Sequence, residues 1–178
     1  MAIVKLNTRT PSTYFLDRGE LRTLQELQGA LANVDLMTPP LDIDRVAAFL
    51  DIQVVREPMG DDMSGFLERR NGRWVAGVNA YHHKVRQRFS LAHEIAHFVL
   101  HRDQQGEFKD RTFARRNDNP APMEREADQF AAELLMPTSS VVSSVRNGSR
   151  GLNDLANEFN VSSLAMRFRL NSLGYSLT

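Results

Sequence analysis

Two histidines and a glutamate stand together in the run Phe89-Ser90-Leu91-Ala92-His93-Glu94-Ile95-Ala96-His97. On a helix, residues four apart share a face, so His93 and His97 can reach one ion. Glu94 lies about 100° round from His93, which sets its carboxylate beside an open coordination position. Leu91, Ile95, Phe98 and Val99 make the same helix apolar enough to be buried. Buried polar groups need partners, and a metal ion supplies them. The chemistry expected is therefore metal-assisted hydrolysis, with His93 and His97 as ligands and Glu94 as the general base.

Catalytic zinc usually takes three protein ligands. All five histidines lie between residues 82 and 101, and there are no cysteines, so the third ligand should be a carboxylate. The next helix, Pro122 to about Met136, carries Glu124, Glu126, Asp128 and Glu133. Ala127, Phe130, Ala131, Leu134 and Leu135 define its buried face. Glu124 and Asp128, four apart, border that face together. Glu124 is the expected ligand and Asp128 the expected acceptor for the N–H of a metal-bound histidine. Glu126 is the fallback ligand. Alternatively, Glu124 is an acid favoured by the helix dipole and Asp128 a solvated one. His101 extends the His93–His97 face by one turn and suits a supporting or surface role better than ligation. Tyr81, His82, His83 and Arg88, just before the metal motif, are the candidates for stabilising charge in the transition state.

These residues need elements to hold them. Leucines 21, 24, 27 and 31 have helical spacing, and Leu41 to Leu50 reads as a second short helix. Ile52 to Val55 reads as a strand. Asn71-Gly72 between two extended runs, within Ser64 to Asn79, signals a β-hairpin with a type I′ turn. The metal-motif helix spans roughly 84–101. Residues 102–121 hold five basic residues, four acids, Gly106 and Pro120. They read as a loop, either a solvated connector or a mobile rim over the site. Leu152 to Leu173 has the rhythm of a helix-turn-helix, with the turn at Asn160-Val161-Ser162. Pro39-Pro40 and Pro137 mark boundaries. The organisation expected is an N-terminal helical extension over 1–40, a core over 41–138 and a C-terminal helical subdomain over 139–178.

Arg86 to His97, followed by Glu124 to Pro137, resembles the ImmA/IrrE family of zinc metallopeptidases. The likeness covers residues 40–137 well and the C-terminal segment loosely. It implies an α+β fold with a zincin-like core. In that core a small antiparallel sheet or hairpin packs on the metal-motif helix, and a second helix bears the third ligand. It also implies a Zn²⁺ site built from His93, His97 and Glu124. Members of the family cleave helix-turn-helix repressors, often encoded beside them. The implied function is a zinc-dependent endopeptidase acting on such a repressor or antitoxin and relieving repression. The alternative is a non-proteolytic, zinc-stabilised regulator that binds a repressor or DNA. Some members carry their own N-terminal helix-turn-helix domain, for which this chain is expected to have no room.

Composition narrows the setting. The 178 residues carry 22 basic and 22 acidic side chains, so bulk charge does not hold the chain on DNA or anionic membrane. In residues 141–178, four arginines stand against Asp154 and Glu158, too thin a basic face for a DNA module. Direct DNA binding is not expected. The N-terminus turns polar too early for a signal peptide, and no apolar run spans a membrane. A cytoplasmic protein is expected.

Overall fold

The computed structural model describes residues 20–111, 121–148 and 151–175. Within the described residues it is an α+β protein with seven helices and one four-stranded mixed sheet. Helix α1 (Leu24–Ala32) opens with a capping box between Thr23 and Glu26. Helix α2 (Ile43–Phe49) is capped by Asp42, whose side chain accepts the Arg45 N–H. Strands β1 (Gln53–Glu57), β2 (Met63–Arg70) and β3 (Arg73–Asn79) follow. Asn71 and Gly72 both take positive φ, as the type I′ turn requires, and Arg70 pairs with Arg73 across it.

Helix α3 (Lys84–His101) lies on the sheet and bears the metal motif. Strand β4 (Glu107–Arg111) comes next, then α4 (Pro122–Leu135), with Pro122 in its first turn. Helices α5 (Thr138–Arg146), α6 (Leu152–Phe159) and α7 (Ser163–Ser172) complete the described chain. Asn160 ends α6 in the left-handed conformation, and the Ser162 hydroxyl accepts the Ala165 N–H to start α7. One hydrophobic cluster runs from Leu21 to Leu170 and joins all seven helices to the sheet.

Two features differ from the sequence expectation. The sheet is not purely antiparallel: its order is β1-β3-β2-β4, and β1 runs parallel to β3. The short run Ile52 to Val55 says nothing about which strand it joins. Residues 102–121 are not all loop, because β4 pairs antiparallel with β2 along one edge. That strand carries one buried apolar residue, Phe108, among charged neighbours. Charge of this kind suits an edge strand but hides the strand pattern. The remainder of that segment, 112–120, lies outside the described residues, as do 1–19 of the N-terminal extension. The serine-rich stretch after Pro137 is helical, as the C-terminal segment was expected to be. Glu133 accepts both the Thr138 N–H (3.0 Å) and its hydroxyl (3.0 and 3.1 Å) at the start of α5, and Val141 is buried beneath it.

Candidate metal centre

Helix α3 buries twelve of its residues, including Gln87, Ser90, His93, Glu94, His97 and His101. A buried helix this polar demands an account of each group. Gln87 donates to the carbonyls of Ala80 (3.3 Å) and His82 (2.7 Å), tying the helix start to the turn after β3. His93, His97 and His101 converge on α4, which packs along α3 more extensively than any other helix.

His93 Nε2 and His97 Nε2 are 3.0 Å apart. Glu124 Oε2 lies 3.3 Å from the first and Glu124 Oε1 lies 3.4 Å from the second. These three residues form a group able to offer one ligand atom each to a single ion. Zinc bound tetrahedrally at about 2.0–2.1 Å sets its ligand atoms about 3.3 Å apart. The nitrogen–nitrogen distance here is a little shorter, at 3.0 Å, and each histidine nitrogen meets a different Glu124 oxygen at 3.3 or 3.4 Å.

The outer contacts say which ring nitrogens carry hydrogen. His93 Nδ1 lies 2.9 Å from Asp128 Oδ1. A carboxylate only accepts, so Nδ1 bears the hydrogen and Nε2 presents its lone pair. With His97 in the matching form, two lone pairs and a carboxylate face one another, and acceptors so close need a cation among them. The donor set therefore fits a metal ion, and protons are the competitor for its place. Where protons take that place instead, the histidine Nε2 atoms donate to Glu124. Burial pushes the Glu124 carboxyl up, but the hydrogen bonds and charge of His93 and His97 overcome it and hold it far below the usual range. Burial also pushes the His97 imidazole below its ordinary value, against the pull of Glu124.

Two further contacts fix His97. Its ring stacks on Phe108 of β4, with centroids 4.5 Å apart and planes 17° from parallel. Its Nδ1 lies 3.0 Å from His101 Nδ1, and His101 Nε2 lies 3.1 Å from Glu126 Oε2. Glu126 thus meets His101 and not the ligand triangle.

Glu94 sits one residue round the helix, fully buried against β2. A Cβ at Gly65 would lie 2.8 Å from Glu94 Oε1 and 2.8 Å from the Gly77 carbonyl oxygen. Only glycine admits this approach. The pairing of β2 with β4 shifts register between Met63 and Gly65, so the irregularity falls beside the carboxylate. Bulges next to such sites commonly aim a side chain.

The four candidates for transition-state stabilisation are not drawn together. Tyr81 is 76% exposed. The backbone of His82 packs against Asn79 and Gln87, and the exposed His83 precedes the first turn of α3. Arg88 donates to the carbonyls of Leu41 (2.9 Å) and Asn160 (3.1 Å), and burial lowers its pKa. Arg86, not singled out in the sequence, lies on the His93 face two turns earlier and donates to Ser64 Oγ at 3.3 Å. Phe108 and Gly65 were also missed. Each acts through an approach between distant segments, and no local pattern announces it.

An α+β core with two histidines of one helix and a glutamate of the next around an ion-sized gap defines a zincin-like protein. The chain belongs to the ImmA/IrrE family: the IrrE N-terminal-like domain of peptidase family M78 matches residues 47–171, well over half of it. No curated protein matches the chain. Among solved structures it is similar to a Mycobacterium tuberculosis transcriptional regulator, with a TM-score of 0.57 and 15% sequence identity. That match covers 83% of this chain but only 46% of the mycobacterial one, and at such identity it speaks for the fold alone. No described helix is long and apolar enough to cross a membrane.

Proposed function

We propose that this chain is a zinc-dependent endopeptidase. The observation that carries the reading is the convergence of His93, His97 and Glu124, acceptors within 3.4 Å of one another, beside the buried Glu94. Membership of a peptidase family supports it. Bound zinc supplies Lewis acidity, which polarises a peptide carbonyl and makes water acidic enough to attack it near neutral pH. Glu94 takes the proton of the attacking water on a carboxylate oxygen and passes it to the departing amide nitrogen. His93, His97 and Glu124 hold the ion, and Asp128 keeps the hydrogen of His93 on Nδ1. Gly65 sets the depth of Glu94.

The substrate class follows the family resemblance: a helix-turn-helix repressor or antitoxin encoded nearby. The mycobacterial neighbour is described as a transcriptional regulator, which accords with a regulatory setting. The test mixes zinc-loaded chain with the helix-turn-helix protein encoded beside it and reads fragments by intact mass, with Glu94→Gln as control. A discrete fragment pair formed only by the unsubstituted chain is expected. A stable complex with both forms and no fragments would replace the peptidase with a zinc-stabilised binding regulator.

A further inference from the structure

The contacts behind His97 are built differently from those behind His93. His93 meets a carboxylate directly. His97 meets a second imidazole, and only that imidazole meets a carboxylate. His101 is almost wholly buried, at 2% exposure, whereas the Glu126 side chain is 62% exposed and lines the rim of a cavity between α3, α4 and α7. The three groups make one line from the surface to the ion site.

The order of hydrogens along that line is fixed from its outer end. The Glu126 carboxylate accepts, so His101 carries its hydrogen on Nε2. With a single ring hydrogen, His101 then presents a lone pair at Nδ1. The partner of that lone pair, His97 Nδ1, must be the donor. Its hydrogen being there, His97 turns a free lone pair on Nε2 towards His93 and Glu124. The reverse order needs a second ring hydrogen: with hydrogen on His97 Nε2, His101 would have to donate from both Nδ1 and Nε2. Phe108 clamps the ring planes that this line requires, stacked on His97 and tilted against His101 at 6.3 Å.

We infer that His101 and Glu126 form a positioning relay that sets His97 in its metal-binding form. The inference rests on the zinc reading of the site and adds a role for two residues that touch neither metal nor substrate. His101 is the link and Glu126 its outer anchor. Partners of this kind typically contribute about 10–100-fold to metal affinity.

The test uses the full chain and zinc alone. Affinity is read by competition with a chromophoric chelator, and ring hydrogens by nitrogen-15 correlation spectra of the zinc-loaded protein. His101→Phe keeps a ring against Phe108 and removes both nitrogens, so it should weaken zinc binding about 10–100-fold. Glu126→Ala alters an exposed helical position and leaves the fold intact. It should weaken binding less and shift hydrogen in His101 away from Nε2. Glu126→Gln, whose amide oxygen still accepts, should restore most of both. In the unsubstituted protein His101 should carry hydrogen on Nε2. Hydrogen on His101 Nδ1, or zinc affinity unchanged in His101→Phe, would overturn the relay alone. A chain that binds no zinc would overturn the metal reading and the relay with it.

Discussion

At the scale of residues, the centre is a competition between protons and a metal for the same lone pairs. Glu94 stands outside that competition, so Glu94→Gln should keep zinc and lose cleavage by two orders of magnitude or more, read as fragment yield against zinc content. Glu124→Ala should instead lose zinc affinity at the outset. Acid should also weaken the metal-free protein. Burial depresses His97, so as pH falls below its ordinary 6.5 the unfolded chain takes up a proton that the folded chain resists. Glu124, held low, acts in the same direction: its contribution is present above the ordinary 4.5 and is lost as pH falls through its depressed value. The urea midpoint of the metal-free chain should therefore fall between about pH 7.5 and about pH 5.5. A flat midpoint over that range would show that His97 is not perturbed by the fold.

At the scale of elements, α3 was readable because its period and its motif coincide. Its bounds, Lys84–His101, are those the sequence suggested. The hairpin was readable because Asn71-Gly72 is a local signal. Strand β4 was not, because its register is set by β2 and its outer residues are charged. Yet β4 supplies Phe108 to the back of His97. Phe108→Ala should cost about 3–5 kcal/mol of stability, as for other large buried rings, and should weaken zinc binding as well. Gly65→Ala should be costly for a different reason: its Cβ has the Gly77 carbonyl on one side and Glu94 on the other. Arg88 joins α3 to the segments around Leu41 and Asn160. Arg88→Leu should lower the melting temperature while leaving turnover per zinc-loaded molecule near that of the unsubstituted chain. A selective loss of turnover would return Arg88 to the chemistry.

At the scale of the whole molecule, the helices after Pro137 are packed into the same cluster as the core. Arg169 of α7 donates to Glu133 and, at 3.0 Å, to the Met136 carbonyl, bridging back to the end of α4. What the sequence made legible was local: helix periods, turn residues, and the acids and histidines whose types carry metal chemistry. The spacing of His93 and His97, and the border position of Glu124, sufficed to pick the three groups that the fold draws together. What it hid was the pairing between distant segments, namely β1 with β3, β4 with β2, and His101 with Glu126. Those depend on which surfaces meet, and composition alone leaves several such meetings open.

The most direct measurement of the central claim is zinc content and coordination in the full chain, by elemental analysis with X-ray absorption at the zinc edge. The expected result is one zinc per chain bound by two imidazoles and a carboxylate, lost in Glu124→Ala and kept in Glu126→Ala. Zinc retained in Glu124→Ala, or lost only in Glu126→Ala, would contradict the site as built from His93, His97 and Glu124.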